Sequence, residues 1–202
     1  MPPYARTEYL VFPIIDLVIT NNLKVLVGSL RYSVDDVKLM LKRSFRGIID
    51  EESLDRFFKK YIVFGAVNPY GMSIEELFML GMELVERHSP DMFIIHGLDL
   101  FVPVMKSGLY RYYDSLINHF YLLKSMGKLI AGIINDVDKE QFLMYSSLAD
   151  IVMKIFMRKT REGIELYVYI WRKGKTARVL GFREALGDIR EIFSKHIKQL
   201  KT

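Results

Sequence analysis

An imidazole and a carboxylate three residues apart, His96 and Asp99, follow the apolar run DMFII. A histidine at the end of a strand can pass a proton at neutral pH, and an aspartate nearby can bind a hard cation. The same pair also serves a plain loop, with His96 as a packed structural residue and Asp99 as a turn former. A second concentration of chemistry lies between Lys154 and Arg178. There eight Lys and Arg stand against Glu162 and Glu165, a net of +6, whereas the whole chain of 202 residues carries +5. Arg158, Arg172, Lys173 and Lys175 belong to this stretch, as does Trp171, which alternates with Tyr167 and Tyr169. Such a strip suits a polyanion or an acidic partner, with the rings stacking nucleobases. It equally suits ring packing in a core or interface and a charged strand edge that resists aggregation. The chain has no cysteine, which excludes disulfides, thiolate metal sites and cysteine catalysis. Its four histidines are well separated, and no metal site is expected.

The elements that must position these residues alternate between strand and helix. Leu23 to Ser29, Tyr61 to Val67, Asp91 to His96 and Leu129 to Asn135 read as short apolar strands. Val34 to Arg43 has helical spacing, with Asp35 and Asp36 near its start and Lys42 and Arg43 near its end, as the helix dipole favours. Ser73 with Glu76 three residues later forms a capping-box pattern and opens a helix to about His88. Further helices are expected from Leu109 to Met126, ending at Gly127, and from Lys139 to Ser147. After Asp150 the period changes to two, which predicts antiparallel hairpins, closed by an amphipathic helix from Glu184 to Lys201. Helices between the early strands imply crossovers and a parallel sheet. The fold class is therefore α/β, mostly parallel, with an antiparallel C-terminal hairpin extension, in one domain over residues 1–202. Half the residues are hydrophobic and a quarter charged, which excludes a disordered chain. No apolar run approaches the roughly 18 residues of a membrane span, and MPPYART lacks a signal-peptide pattern. A soluble, cytoplasmic protein is expected. Five Asn and two Gln are the sparse amides of a thermophile, with eleven Met counting the other way.

Four segments in order resemble the RecA-like ATPases, most closely their KaiC-like branch. In VGSLRYSVDDV, Ser33, Asp35, Asp36 and Val37 fit the family's acidic helix start, while its two catalytic glutamate positions hold Arg31 and Tyr32. PDMFIIHGLDLF is similar to the Walker B strand, with His96 in place of the metal-binding aspartate. LLKSMGKLIAGIIN ends at Asn135, the polar sensor position. SLADIVMKI and the hairpin to WRKGKT match at Asp150 and Gly174, with Trp171 and Lys173 at the family's Lys and Arg positions. Counting back from Arg31 by the family's spacing places Ala5, Arg6 and Thr7 where the phosphate-binding Lys-Thr should be. That stretch has no glycine, and Pro2 and Pro3 have no N–H to donate, so no backbone nest for phosphates is expected.

The resemblance implies a RecA-like three-layer fold whose first strand and P-loop are missing or degenerate. Neither Arg31 nor Tyr32 can activate water at neutral pH, and a neutral imidazole is a poor ligand for Mg²⁺. We therefore expect no hydrolysis, no catalytic residue, no metal and no cofactor, and a protein that acts by binding another protein, itself or an active ATPase relative. Family members assemble with the C-terminal hairpin facing a neighbour's nucleotide, which would put Lys173 in trans to a partner's ATP. Three alternatives stand beside this reading: a nucleic-acid-binding accessory resembling the recombinase paralogues, a nucleotide sensor without hydrolysis, and an unrelated enzyme using His96 and Asp99. No membrane partner is expected.

Overall fold

The computed structural model describes residues 18, 20–44, 50–68, 72–101, 109–134, 139–161, 163–181, 184–185, 187–188 and 191. Helical residues around Val18 end at Asn22, whose positive φ of 51° lets Leu23 N–H reach back to the Val18 carbonyl at 3.0 Å. Strand β1 (Val25–Ser29) follows, then α1 (Val34–Ser44), α2 (Glu51–Tyr61), β2 (Ile62–Ala66), α3 (Ile74–His88) and β3 (Met92–His96). A 3₁₀ turn (Leu98–Phe101) leads on to α4 (Leu109–Ser125), β4 (Leu129–Ile133) and α5 (Lys139–Leu148). The chain then forms β5 (Ile151–Thr160), β6 (Gly163–Arg172) and β7 (Arg178–Gly181). Residues 184, 185, 187, 188 and 191 are helical; the rest of the expected C-terminal helix lies outside the described residues.

β1 to β4 form a parallel sheet in the order β2-β1-β3-β4. Its two faces follow the period of two along each strand. Leu26, Phe93 and Ile95 pack with Ile74, Phe78 and Val85 of α3 and with Tyr112, Leu116 and Leu123 of α4. On the opposite side, Val25, Met92, Ile94 and Ile133 meet Val18, Leu23, Phe57 and Tyr61. Both faces are therefore covered, and every residue of β3 is buried, as a central parallel strand requires. The α/β class and the parallel sheet agree with the sequence reading. The C-terminal extension is antiparallel as well, two consecutive hairpins of β5, β6 and β7, and these strands make a sheet of their own that pairs with none of β1 to β4.

Helix ends carry the expected chemistry. Ser73 Oγ accepts from Glu76 N–H at 3.1 Å, and the Glu76 carboxylate accepts from Ser73 N–H at 2.7 Å, which holds that carboxyl below its ordinary range. α4 stops at Gly127, with φ of 71° and Lys128 N–H on the Leu123 carbonyl at 3.0 Å. Helix α2 was not anticipated, though its signals are present. Asp50 caps Ser53 N–H at 2.8 Å, Glu51 and Glu52 open the first turn, and Lys59 and Lys60 close the last. Leu54, Phe57, Phe58 and Tyr61 recur at helical spacing and pack inward. No described helix is long and apolar enough to cross a membrane.

Candidate functional site at the sheet switch point

The strand order reverses between β1 and β3. The chain leaves β1 for β2 on one side, then returns past β1 to lay β3 on its other side. In open α/β sheets the crevice outside the carboxyl ends at such a point is where ligands bind. Here the four strands end flush, because Ser29 pairs with Ala66 and His96, and His96 pairs with Ile133. The row of last residues is thus Ala66, Ser29, His96, Ile133, and it carries no carboxylate.

Ser29 and His96 are 1% and 5% exposed, the two buried polar side chains among the described residues, and they face each other across the switch point. Ser29 Oγ lies 3.3 Å from His96 Nδ1. The same Oγ accepts from Arg31 N–H at 3.3 Å and from Tyr32 N–H at 3.0 Å. With two amides donating to it, the hydroxyl has its own hydrogen to give to Nδ1, an arrangement that suits the tautomer protonated at Nε2. A serine and a histidine at this distance have the composition of a nucleophile and its base. Burial and the two amides withhold that Oγ from any substrate, so the pair ties the ends of β1 and β3 together.

Tyr32 lies over the pair. Its ring stacks on His96 at 5.4 Å between centroids and 26° between planes, with the tyrosine 39% exposed. Arg31 runs beside Gly97, where an added Cβ would stand 3.3 Å from Arg31 Cβ. Gly97 has φ of 92°, a conformation L side chains avoid, so this glycine lets the two loops approach. The turn after it is fixed from below. The Leu98 carbonyl accepts from the Tyr145 hydroxyl at 2.9 Å and from the Tyr112 hydroxyl at 3.2 Å, the two hydroxyls being 2.8 Å apart. Asp99 sits within this 3₁₀ turn.

The structure thus brings Arg31, Tyr32 and His96 together, as the sequence reading grouped them, and adds Ser29, which that reading passed over. Ala5, Arg6, Thr7 and Asn135 lie outside the described residues. Among the described residues no group of three His, Asp or Glu is placed to hold a metal ion. His119 is a second imidazole packed against the core, half-buried. It stacks on Phe78 at 3.9 Å and donates from Nε2 to the Phe78 carbonyl at 3.1 Å. Burial lowers its pKa below the ordinary 6.5, partly opposed by that hydrogen bond.

The basic stretch falls on the second sheet. Trp171 pairs with Val152, and Arg158 pairs with Glu165. Six residues separate Glu165 from Trp171, about 20 Å along a strand. Arg158 therefore sits at the far end of the ribbon and not beside Trp171. Lys173 and Lys175 are exposed in the turn between β6 and β7, at the tryptophan end, where Gly174 has φ of 74°. Arg172 is half-buried at the end of β6.

No protein-family model matches the chain, and no curated protein is a significant match to it.

Proposed function

We propose that this chain is a RecA/KaiC-like domain without ATPase chemistry that acts by binding another protein, either a second copy of itself or an active ATPase relative. One observation carries the reading. Where the resemblance expects a metal-binding carboxylate and catalytic glutamates, the described residues at the strand ends are a Tyr32 ring stacked on a buried, serine-bonded His96. Mg·ATP binding needs oxygen ligands for the cation and backbone donors for the phosphates. The side chains at this switch point supply a hydroxyl, an imidazole and a phenol ring in their place. The parallel sheet with helices on both faces is compatible with the three-layer architecture that the resemblance implies.

The test is direct. Phosphate release by the pure protein should not exceed a buffer blank, and calorimetry should detect no tight Mg·ATP binding. Light scattering across a concentration series should show self-association, or mixing with an active RecA-like ATPase should give a defined complex. Turnover abolished by His96→Ala would overturn the non-catalytic reading. A monomer at all concentrations that forms no complex with the ATPase would overturn the interaction reading.

A further inference from the structure

One face of the second sheet carries a row of half-buried rings bordered by cations. In β6, Val168 and Ile170 are buried together with Ala185, against Met153 and Leu180. Glu165, Tyr167, Tyr169 and Trp171 alternate with them and so occupy the other face. Across the ribbon Phe156 lies opposite Tyr167, the two rings stacked at 5.9 Å and 21°. Lys154 lies opposite Tyr169, with its Nζ 5.2 Å from the Phe142 ring of α5, which bounds the face on the β5 side. Among the described residues nothing covers the β7 side. There Val179, opposite Tyr169, is 56% exposed, and Gly181, opposite Tyr167, has nothing within 4 Å of where a side chain would start.

We propose that this face binds single-stranded nucleic acid, with bases stacked on Tyr167, Tyr169 and Trp171 and phosphates met by the surrounding Lys and Arg. Charge selects a polyanion. On this face and in the turn at its end, Lys154, Arg158, Lys173 and Lys175 stand against Glu165, which accepts from the Tyr167 hydroxyl at 2.7 Å, and four cations against one carboxylate leave a net +3. Ring spacing selects separated bases. Consecutive outward positions on a strand stand about 6.6 Å apart, roughly twice the 3.4 Å repeat of a stacked strand. One base per ring fits this row, and a duplex, whose base faces are covered, does not. Arg158 at one end and Lys173 and Lys175 at the other put cations where a strand laid along the row enters and leaves. This inference is independent of the switch-point reading, since no residue is shared between the two.

Trp171 is the one tryptophan of the chain and reports on the row directly. Oligothymidylate and oligouridylate, long enough to span the sheet, are titrated into the full chain at low and raised salt, following tryptophan fluorescence and the anisotropy of labelled oligomer. Saturable quenching that weakens with salt is expected. Tyr169→Leu should weaken binding about tenfold, and Lys173→Gln and Lys175→Gln should each lower the salt slope by about one unit. Val179→Glu, at an exposed position that leaves the core intact, should also weaken binding while keeping the thermal midpoint. Absence of quenching and of an anisotropy change would overturn the proposal. So would equal quenching by polyglutamate or by phosphatidylserine vesicles, duplex bound as tightly as single strand, or unchanged affinity in both Tyr169→Leu and Val179→Glu.

Discussion

Gly97→Ala should destabilise the protein more than the same change at Gly127, and the difference measures how closely the loops after β1 and β3 approach. Both glycines have positive φ, 92° and 71°. An L residue in the left-handed region costs about 1–2 kcal/mol, of which roughly 0.4–1 kcal/mol is offset because alanine also restricts the unfolded chain. That leaves about 1 kcal/mol at each site. The surroundings then separate them. A Cβ at Gly127 meets nothing within 4 Å, whereas at Gly97 it meets Arg31 Cβ at 3.3 Å, Arg31 N at 3.5 Å and Leu100 Cδ1 at 3.5 Å. One of those atoms is backbone and one a Cβ, so neither can swing aside. Only the 3.3 Å contact is tighter than an ordinary van der Waals distance, so overpacking adds the low end of about 1–3 kcal/mol and Gly97→Ala should lose about 2 kcal/mol in total. Urea unfolding of the two variants, with matched slopes, gives the comparison. Equal losses, or a smaller loss at Gly97, would refute the close approach.

Ser73→Ala should cost about 1 kcal/mol by removing one half of the capping box at α3, measured by urea midpoint. Acid should weaken the fold through His119. Its folded pKa lies below the ordinary 6.5, so the unfolded chain takes up the proton first, and stability present above about pH 6.5 falls as pH drops toward the folded value and then levels. Urea midpoints from pH 8 to pH 5 should show that decline, and His119→Gln should flatten it. The double change His96→Asp with Arg31→Glu should leave Mg·ATP unbound by calorimetry, since two carboxylates supply neither backbone donors nor space beneath Tyr32; tight binding would contradict the reading of the switch point.

Where sequence reasoning worked, the signal was local. Alternation of apolar strands with amphipathic helices, the Ser73 and Glu76 pair and the stop at Gly127 each depend on a few neighbouring residues. What escaped it depends on register. Ser29 is a small hydroxyl at the end of an apolar strand and acquires meaning only because parallel pairing sets it opposite His96, 67 residues away. Likewise the period of two places Tyr167, Tyr169 and Trp171 on one face, yet which cation accompanies them depends on the turn at the end of β5. That turn pairs Thr160 with Gly163 and so carries Arg158 to Glu165 and brings Lys154 to Tyr169. Helix α2 was missed for another reason. Its apolar face is built from Leu54, Phe57, Phe58 and Tyr61 in a stretch otherwise crowded with charge.

The two tyrosines beneath Leu98 make the molecule mechanically continuous. Tyr112 belongs to α4, Tyr145 to α5, and the carbonyl they grip belongs to the turn that follows His96. α5 runs through Ala149 and Asp150 into β5, and Lys124 of α4 holds Asp150 at 3.0 Å. The antiparallel sheet and the loop beside the switch point are therefore joined through α5 and Tyr145. Sliding the helix would break the two buried hydrogen bonds of the Tyr145 hydroxyl, each worth about 0.5–1.5 kcal/mol, so the junction resists small displacements.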